Sequence, residues 1–196
     1  MQWGADEPAA RSLAEKVRKA YQAGVDYVQV REKDMSGASL LSLVAELSRL
    51  HERTRRTRLL VNGRVDVAIA SEADGAHLSF ESLPLAAIRS RLPNFLIVGV
   101  SCHSAVEAAE AQQAGADYII LGPVFTTPSK PGVVPLGLKK FSSICAELSV
   151  PVFALGGVDL SNARDCVLAG AAGIAGIRLF QNADNIDHLA AEIRKL

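Results

Sequence analysis

The chain has 196 residues, of which 49% are hydrophobic and 21% are charged, and its formal net charge is zero. This length suits one sizeable hydrophobic core, and the balanced charge argues against a basic face for nucleic acid or anionic membranes. No apolar run approaches the roughly 20 residues of a membrane span, and the first residues lack a secretory signal pattern. Cys102, Cys145 and Cys166 are widely spaced, which favours reduced thiols and a cytoplasmic protein.

Amphipathic stretches alternate with short apolar runs along the chain. The amphipathic stretches predict helices over residues 9–22, 38–54, 104–113 and 161–169, the last with Ser161 as candidate N-cap. The apolar runs alternate little between polar and apolar residues, which is typical of parallel strands covered on both faces. The predicted strands span residues 25–30, 58–63, 75–79, 95–101, 117–125, 151–157 and 172–180.

One phrase recurs where a predicted helix meets a predicted strand. It reads AGVDY at 23–27, AGADY at 114–118 and AGAAG at 169–173, with a looser version, EADGAH, at 72–77. Glycine suits the left-handed residue that ends a helix, so the repeated phrase indicates βα units. No linker or low-complexity segment interrupts them, and the sequence therefore predicts a single domain over residues 1–196.

Seven strands alternating with helices fit a (β/α) barrel that is one strand short, and they also fit an open doubly wound sheet. A complete barrel has eight strands and about 250 residues. The opening residues, MQWGADEP, do not have a strand pattern. The predicted fold is thus an α/β (β/α)8 TIM barrel whose first strand is missing or truncated.

Polar residues follow the predicted strands, where barrel active sites lie. In VQVREKD, residues 28–34, Gln29, Arg31 and Lys33 stand at every second position and are expected to share one face of the strand. Arginine binds a phosphate with two parallel hydrogen bonds, and lysine acts as a point charge. The strand end therefore predicts a site for an anionic ligand.

A second anion site is expected at the last two strands. Gly156 and Gly157 bring peptide N–H groups close to a ligand, and Arg178 follows the final strand. The loop TTPSK, residues 126–130, adds hydroxyl groups and Lys130. One anion site around Arg31, Lys33 and Lys130 and a separate one at Gly157 and Arg178 indicate two phosphorylated moieties.

Six motifs together resemble one family. In chain order they are VQVREK, LVNGRVDVA, ADGAHL, GVSCHS, ADYIILGPVFTTPSK and ALGGV. From residue 24 to about residue 180 the chain resembles thiamine-phosphate synthase and the related thiazole tautomerase (TenI) group. The resemblance implies a TIM barrel and a transferase of thiamine biosynthesis. That enzyme joins an aminopyrimidine diphosphate to a thiazole phosphate and releases pyrophosphate with the help of Mg²⁺.

The resemblance also implies a role for each matching residue. The expected catalytic residues stabilise the charge of the departing diphosphate, and they are Arg31, Lys33, Ser101 and Lys130. The expected substrate-binding residues are Gln29 and Asn62 on the pyrimidine side, and Thr127, Ser129, Gly157, Ile177 and Arg178 on the thiazole-phosphate side. His77 and His103 are the candidates for acid–base chemistry, although both also suit a structural role.

The chain departs from the family pattern at the metal site. Gly63 and Ser82 stand where the family has the two aspartates that bind Mg²⁺, a cation that prefers carboxylate and phosphate oxygens. We therefore expect no metal site, unless Glu81 beside Ser82 replaces a ligand. Arg178 stands where a small hydroxyl residue is usual, and Pro123 stands where the tautomerase has a histidine.

Two alternatives to the synthase stay open at this point. One is a TenI-like thiazole tautomerase that works without a metal, and the other is a non-catalytic barrel that binds a phosphate ligand. The expected partners are small phosphorylated molecules, with neither nucleic acid nor a membrane, and a homo-oligomer is compatible with the sequence.

Overall fold

The computed structural model describes residues 7–50, 57–79 and 82–196, with side chains from residue 11 onward. The helices in this part are α1 (Glu7–Gln22), α2 (Gly37–Ser48), α3 (Val65–Ala70), α4 (Leu85–Ile88), α5 (Ala105–Gln113), α6 (Gly137–Ala146), α7 (Ala163–Leu168), α8 (Arg178–Gln181) and α9 (Ile186–Ile193). The strands are β1 (Tyr27–Val30), β2 (Arg58–Asn62), β3 (Gly75–Leu78), β4 (Ile97–Cys102), β5 (Tyr118–Leu121), β6 (Val152–Ala154) and β7 (Gly173–Ile174). A 3₁₀ turn, Arg89–Arg91, follows α4.

The described residues cluster into two compact units. The first unit comprises the described residues up to residue 77, with 93–97 and 184–191. In it β1 pairs with β2 and β2 with β3, always in parallel, so that Val30 lies beside Val61 and Asn62 beside His77. Its core is apolar, because Tyr21, four residues of α2 and three of β2 are almost completely buried: Leu40, Leu43, Val44 and Leu47, and Leu59, Leu60 and Val61.

The second unit comprises residues 78–92, 98–183 and 192–196. In it β4, β5, β6 and β7 pair in chain order, again in parallel, with Ser101 beside Ile120. The rings of Tyr118 and Phe153 pack edge to face with centroids 5.6 Å apart. Within each unit the carboxyl ends of the strands therefore lie at one edge of the paired strands.

The predicted α/β class with parallel strands is confirmed, and each of the seven predicted strands is present. The last one is much shorter than predicted, because it ends at Ile174 and Arg178 already begins α8. The N-cap prediction for α7 is wrong, since Asn162 occupies that position and the Ser161 hydroxyl donates to Asp159. The helix predicted over residues 38–54 ends at Ser48 as far as the described residues reach.

Two further predictions are not decided by these residues. The first strand is predicted to be missing or truncated because MQWGADEP has no strand pattern, and residues 1–6 of that stretch lie outside the described part. The single domain stays a prediction. No helix in the described part is long and apolar enough to cross a membrane.

The repeated helix-to-strand phrase has one backbone geometry. Gly24, Gly115 and Gly170 have positive φ values of 65°, 84° and 102°, as predicted for left-handed residues that end a helix. In the looser phrase this position belongs to Glu72, with φ of 57°, and the glycine serves another purpose. A Cβ atom on Gly75 would lie 2.0 Å from the Ile97 carbonyl oxygen, so glycine is needed there for close packing.

The aspartate of the phrase joins neighbouring strands. The Asp74 carboxylate accepts a hydrogen bond of 2.7 Å from the backbone N–H of Leu59, at the start of β2. Asp117 accepts an equivalent bond of 2.7 Å from Val98, at the start of β4. Charge-assisted bonds of this kind are among the stronger ones in proteins. They fix the amino ends of these strands and do not involve the carboxyl ends, where the expected site residues lie.

Candidate active site

An amide pair marks the carboxyl end of the first unit's strands. Gln29 in β1 donates from Nε2 to Oδ1 of Asn62 in β2, over 2.8 Å. Both side chains are half-buried. The bond fixes the orientation of the Asn62 carboxamide, so the structure brings together the two residues expected on the pyrimidine side.

Arg31 and Lys33 lie in the loop between β1 and α2. The strand ends at Val30, which is buried, and both cationic residues that follow it are exposed. The expectation that Gln29, Arg31 and Lys33 share one strand face is therefore wrong. The two cations keep their position after the strand end, and their role at a diphosphate stays a prediction.

His77 is a core residue of the first unit. It lies in β3 with only 2% of its surface exposed, and burial lowers its pKa to about 4. The imidazole is therefore neutral near neutral pH. This geometry favours the structural role that was one of the two predicted for His77.

Three side chains form a linear cluster in the second unit, which we call the Lys130–His103–Glu107 cluster. His103 directly follows β4, and its Nδ1 atom lies 3.2 Å from a carboxylate oxygen of Glu107 in α5. Its Nε2 atom lies 2.7 Å from Nζ of Lys130, in the loop after β5. The same Glu107 oxygen accepts the backbone N–H of His103 over 2.8 Å. The cluster thus joins a carboxylate, an imidazole and an ammonium group.

Ser101 and Cys102 lie in β4, next to this cluster. Ser101 is half-buried in the strand, and its expected role at the pyrophosphate stays a prediction. The thiol of Cys102 is 1% exposed. Burial raises its pKa to about 12, helped by the charges of Glu107 and Glu110. Cys102 is consequently an unreactive thiol of the core.

The TTPSK loop and α8 meet at a buried hydroxyl group. Thr127 is 8% exposed, and its Oγ1 atom accepts hydrogen bonds from Arg178 over 3.1 Å and from the backbone of Ser129 over 3.4 Å. Arg178 is the first residue of α8, and the exposed Ile177 is the N-cap. The structure therefore brings together four residues expected on the thiazole-phosphate side.

Gly156 and Gly157 follow β6 with φ values of 93° and 69°. A Cβ atom on Gly157 would lie 2.6 Å from the carbonyl oxygen of Thr126, and one on Gly156 would lie 2.6 Å from Cβ of Pro123. Both glycines are therefore required for the close approach of the two loops. The side chain of Asn162 donates to the Gly157 carbonyl over 3.0 Å and holds this turn from below.

The side chains at the family's metal positions do not fit Mg²⁺. Gly63 has no side chain and donates its N–H to the carbonyl of His77 over 2.8 Å. The nearby carboxylate of Asp66 is held at both oxygens by Arg64, which lowers its pKa. In the described part of the chain, no group of three His, Cys, Asp or Glu residues could hold a metal ion.

The second metal position is equally unsuited. The hydroxyl of Ser82 accepts the backbone N–H of Ser79 over 3.0 Å and closes a turn after β3. A neutral hydroxyl already used in a turn is a poor substitute for a carboxylate ligand. Glu81, the residue considered as a replacement, lies outside the described residues.

Sequence reasoning missed Glu107 as a member of the site. A signal was present, because Ser104 and Glu107 have the spacing of a capping box, which puts the glutamate in the first turn of a helix. Ser104 is indeed the N-cap of α5 and accepts the Glu107 N–H over 3.2 Å. A strand end followed by a capping box therefore brings a carboxylate back to the strand end.

Comparisons with known proteins identify the family of this chain. A model of the family described as thiamine monophosphate synthase matches residues 4–180. A putative thiamine-phosphate synthase of Geobacter sulfurreducens is 43% identical over 170 residues, which is 86% of this chain and 79% of the relative. A thiamine-phosphate synthase of Syntrophomonas wolfei is 38% identical over 187 residues, which is 95% of this chain and 89% of the relative.

Solved structures are similar as well. The structure of thiamine phosphate pyrophosphorylase from Pyrococcus furiosus is 32% identical, with a TM-score of 0.81 over 96% of this chain and 91% of that one. A 3-hexulose-6-phosphate synthase structure has a TM-score of 0.68 at 20% identity, over 96% of this chain and 93% of that one. The latter likeness concerns the fold alone.

Proposed function

Because the chain belongs to the thiamine monophosphate synthase family, whose members are transferases of thiamine biosynthesis, we propose that it is itself a thiamine-phosphate synthase. The proposed reaction joins an aminopyrimidine diphosphate to a thiazole phosphate and releases pyrophosphate. The observation that carries the proposal is that Ser129 and Arg178 both donate hydrogen bonds to the buried hydroxyl group of Thr127. These are the positions where the family is expected to bind the thiazole phosphate.

The chemistry requires little proton transfer. The bond between the pyrimidine methylene carbon and the diphosphate oxygen breaks, and its electron pair leaves with the diphosphate. The nitrogen lone pair of the thiazole then forms the new carbon–nitrogen bond. Fixed cations lower the barrier because negative charge builds on the leaving group. We assign this role to Arg31, Lys33 and Lys130, with Ser101 as a hydrogen-bonding partner.

We assign the orientation of the two substrates to the other expected residues. Gln29 and Asn62 form a fixed amide pair that suits the hydrogen-bonding edge of an aminopyrimidine. The guanidinium of Arg178 and the backbone N–H of Gly157 suit a phosphate monoester. The arginine adds a formal charge where the family usually has a hydroxyl, so we expect phosphate binding in this chain to depend more strongly on charge.

We propose that this chain does not hold Mg²⁺ with a pair of its own carboxylates. Gly63 and Ser82 supply none, and Asp66 is engaged by Arg64. The cations named above then carry the neutralisation of the diphosphate. Closure of the strands into a TIM barrel and a cytoplasmic location remain parts of the same proposal, and the family resemblance and the widely spaced cysteines support them.

The test is a direct assay of thiamine phosphate. Purified protein is incubated with both substrates, once with Mg²⁺ and once with a chelator, and the product is quantified. We expect product in both conditions, with the Arg31→Ala variant weaker in diphosphate affinity by about tenfold. The control is Arg49→Ala, since Arg49 is exposed at the carboxyl end of α2. Unchanged affinity of Arg31→Ala would contradict its assigned role.

A metal-free thiazole tautomerase is the second candidate, because a reaction that needs no metal does not require the two aspartates that Gly63 and Ser82 replace. It predicts binding of thiazole phosphate and isomerisation without formation of thiamine phosphate. Pro123 at the position of the tautomerase histidine argues against it. Binding without either reaction would instead indicate a phosphate-ligand binding protein.

A further inference from the structure

We propose that His103 is a positioning residue that directs the ammonium group of Lys130 toward the leaving diphosphate, with Glu107 as its anchor. The inference deepens the proposed function and rests on it, because it takes from that proposal the role of Lys130. It assigns a role to a histidine and a glutamate that the reaction itself does not require.

The chemistry of the lysine ammonium gives the direction of the hydrogen bonds. A lysine ammonium has three N–H donors and no acceptor, so at 2.7 Å Lys130 donates and Nε2 of His103 accepts. A histidine that accepts at Nε2 carries its proton on Nδ1. That Nδ1–H group faces the Glu107 carboxylate at 3.2 Å. Donation therefore runs in one direction, from Lys130 through neutral His103 to Glu107.

The far end of this chain is firmly held. The Glu107 carboxylate accepts the backbone N–H of His103 over 2.8 Å and the hydroxyl of Ser104 over 3.1 Å. Partial burial acts to raise the Glu107 pKa, but the hydrogen bonds from His103 and Ser104 outweigh it and keep the pKa low. Glu107 also lies in the first turn of α5, where the Ser104 cap fixes the course of its backbone.

The near end explains why anchoring is useful. Lys130 lies in an exposed loop, and a free lysine side chain samples many rotamers that are lost when it binds an anion. His103 holds the ammonium by one of its three donors and leaves the remaining donors for ligand oxygens. An ammonium that is already oriented stabilises developing charge without reorganisation.

Two substitutions of His103 separate positioning from mere packing. His103→Gln keeps an acceptor near the place of Nε2, whereas His103→Asn keeps a donor near the place of Nδ1 only. We expect His103→Gln to retain kcat within about threefold, and His103→Asn to lose about tenfold in kcat with an unchanged KM for thiazole phosphate. Equal activity of the two variants, or wild-type activity of His103→Ala, would overturn the proposal.

A double-mutant cycle tests the coupling to Lys130. The His103→Ala change should weaken inorganic pyrophosphate binding about tenfold in the wild-type chain and leave it unchanged in a Lys130→Ala background. An equal loss in both backgrounds refutes the positioning role. The midpoint of urea unfolding should be the same for each variant, so that a folding defect is recognised.

A spectroscopic measurement keeps this inference separate from the proposed function. The ¹⁵N chemical shifts of the His103 ring, assigned by their loss in His103→Gln, should report the neutral tautomer protonated on Nδ1. A ring protonated on Nε2 refutes the inference whatever the activity. A wild-type protein that makes no thiamine phosphate but passes the pyrophosphate cycle refutes the proposed function and leaves the positioning of Lys130 intact.

Discussion

Substitution of Gly157 by alanine measures what the turn after β6 does. The backbone has φ of 69° there, which costs a residue with a Cβ atom about 1 kcal/mol. The new Cβ would also lie 2.6 Å from the Thr126 carbonyl oxygen and 2.7 Å from Cβ of Phe125. These neighbours belong to the main chain or are fixed to it, so no side-chain rotation relieves the overlap. Overpacking of this kind adds about 2 kcal/mol.

The matched control is Gly132→Ala. Gly132 also has a positive φ, of 77°, but an added Cβ atom would meet no atom within 4 Å. We therefore expect Gly132→Ala to lose about 1 kcal/mol in the free energy of unfolding and Gly157→Ala to lose about 3 kcal/mol. Urea unfolding followed by circular dichroism measures both.

A similar loss in the two variants would refute the reasoning that close loop contact, and not the backbone angle alone, requires Gly157. The proposed function adds a kinetic consequence. Relief of the overlap moves the loop that carries Thr127, so the KM for thiazole phosphate should rise by about tenfold or more in Gly157→Ala. An unchanged KM together with a lowered stability would assign Gly157 to packing alone.

Three further predictions concern single side chains. Burial lowers the folded-state pKa of His77 to about 4 from its ordinary value of 6.5. The contribution of neutral His77 to the free energy of unfolding is therefore complete above pH 6.5 and is lost as the pH falls toward 4. The loss amounts to about 3 kcal/mol. Urea unfolding at several pH values should show it for the wild-type protein and not for His77→Gln. Glu72→Gly should raise the free energy of unfolding by about 1 kcal/mol, because φ there is 57°; a lowered value would contradict the backbone argument. Thr127→Val removes the acceptor for Arg178 and should raise the KM for thiazole phosphate about tenfold, whereas Thr126→Val at the exposed neighbour should not. Equal kinetics of these two variants would exclude a role for the buried hydroxyl.

The positions of all seven strands were predictable because each is a compact apolar run between stretches of helical pattern. Their lengths were not predictable, because a strand ends where its neighbour ends. β2 extends only one residue, Asn62, beyond Val61, the partner of Val30, before the chain turns at Gly63 with φ of 68°. β1 therefore has at most one more position to pair with, and Arg31 lies in a loop. In the same way β7 stops at Ile174, opposite the last residue of β6.

The sequence indicated which residues to consider for the candidate site better than it indicated which contacts they make. The family resemblance assigned Gln29 and Asn62 to one side of the expected site and Thr127 and Arg178 to the other, and the structure joins each pair by a hydrogen bond. The hydrogen bond from Lys130 to His103 joins residues 27 positions apart, and no local pattern encodes it. Such contacts depend on how two loops pack, which is a property of the assembled second unit.

The carboxylates of Asp74 and Asp117 have a consequence for how this chain can change. Each secures the amino end of a neighbouring strand through a bond that involves none of the proposed ligand-binding residues. Exchanges in the exposed segments at the opposite ends of the strands, such as at Arg31 and Lys33, then leave both of these bonds intact. New substrate preferences can accumulate there while the scaffold keeps its register. The same arrangement makes these strand-end loops the natural positions for directed evolution of altered phosphate specificity.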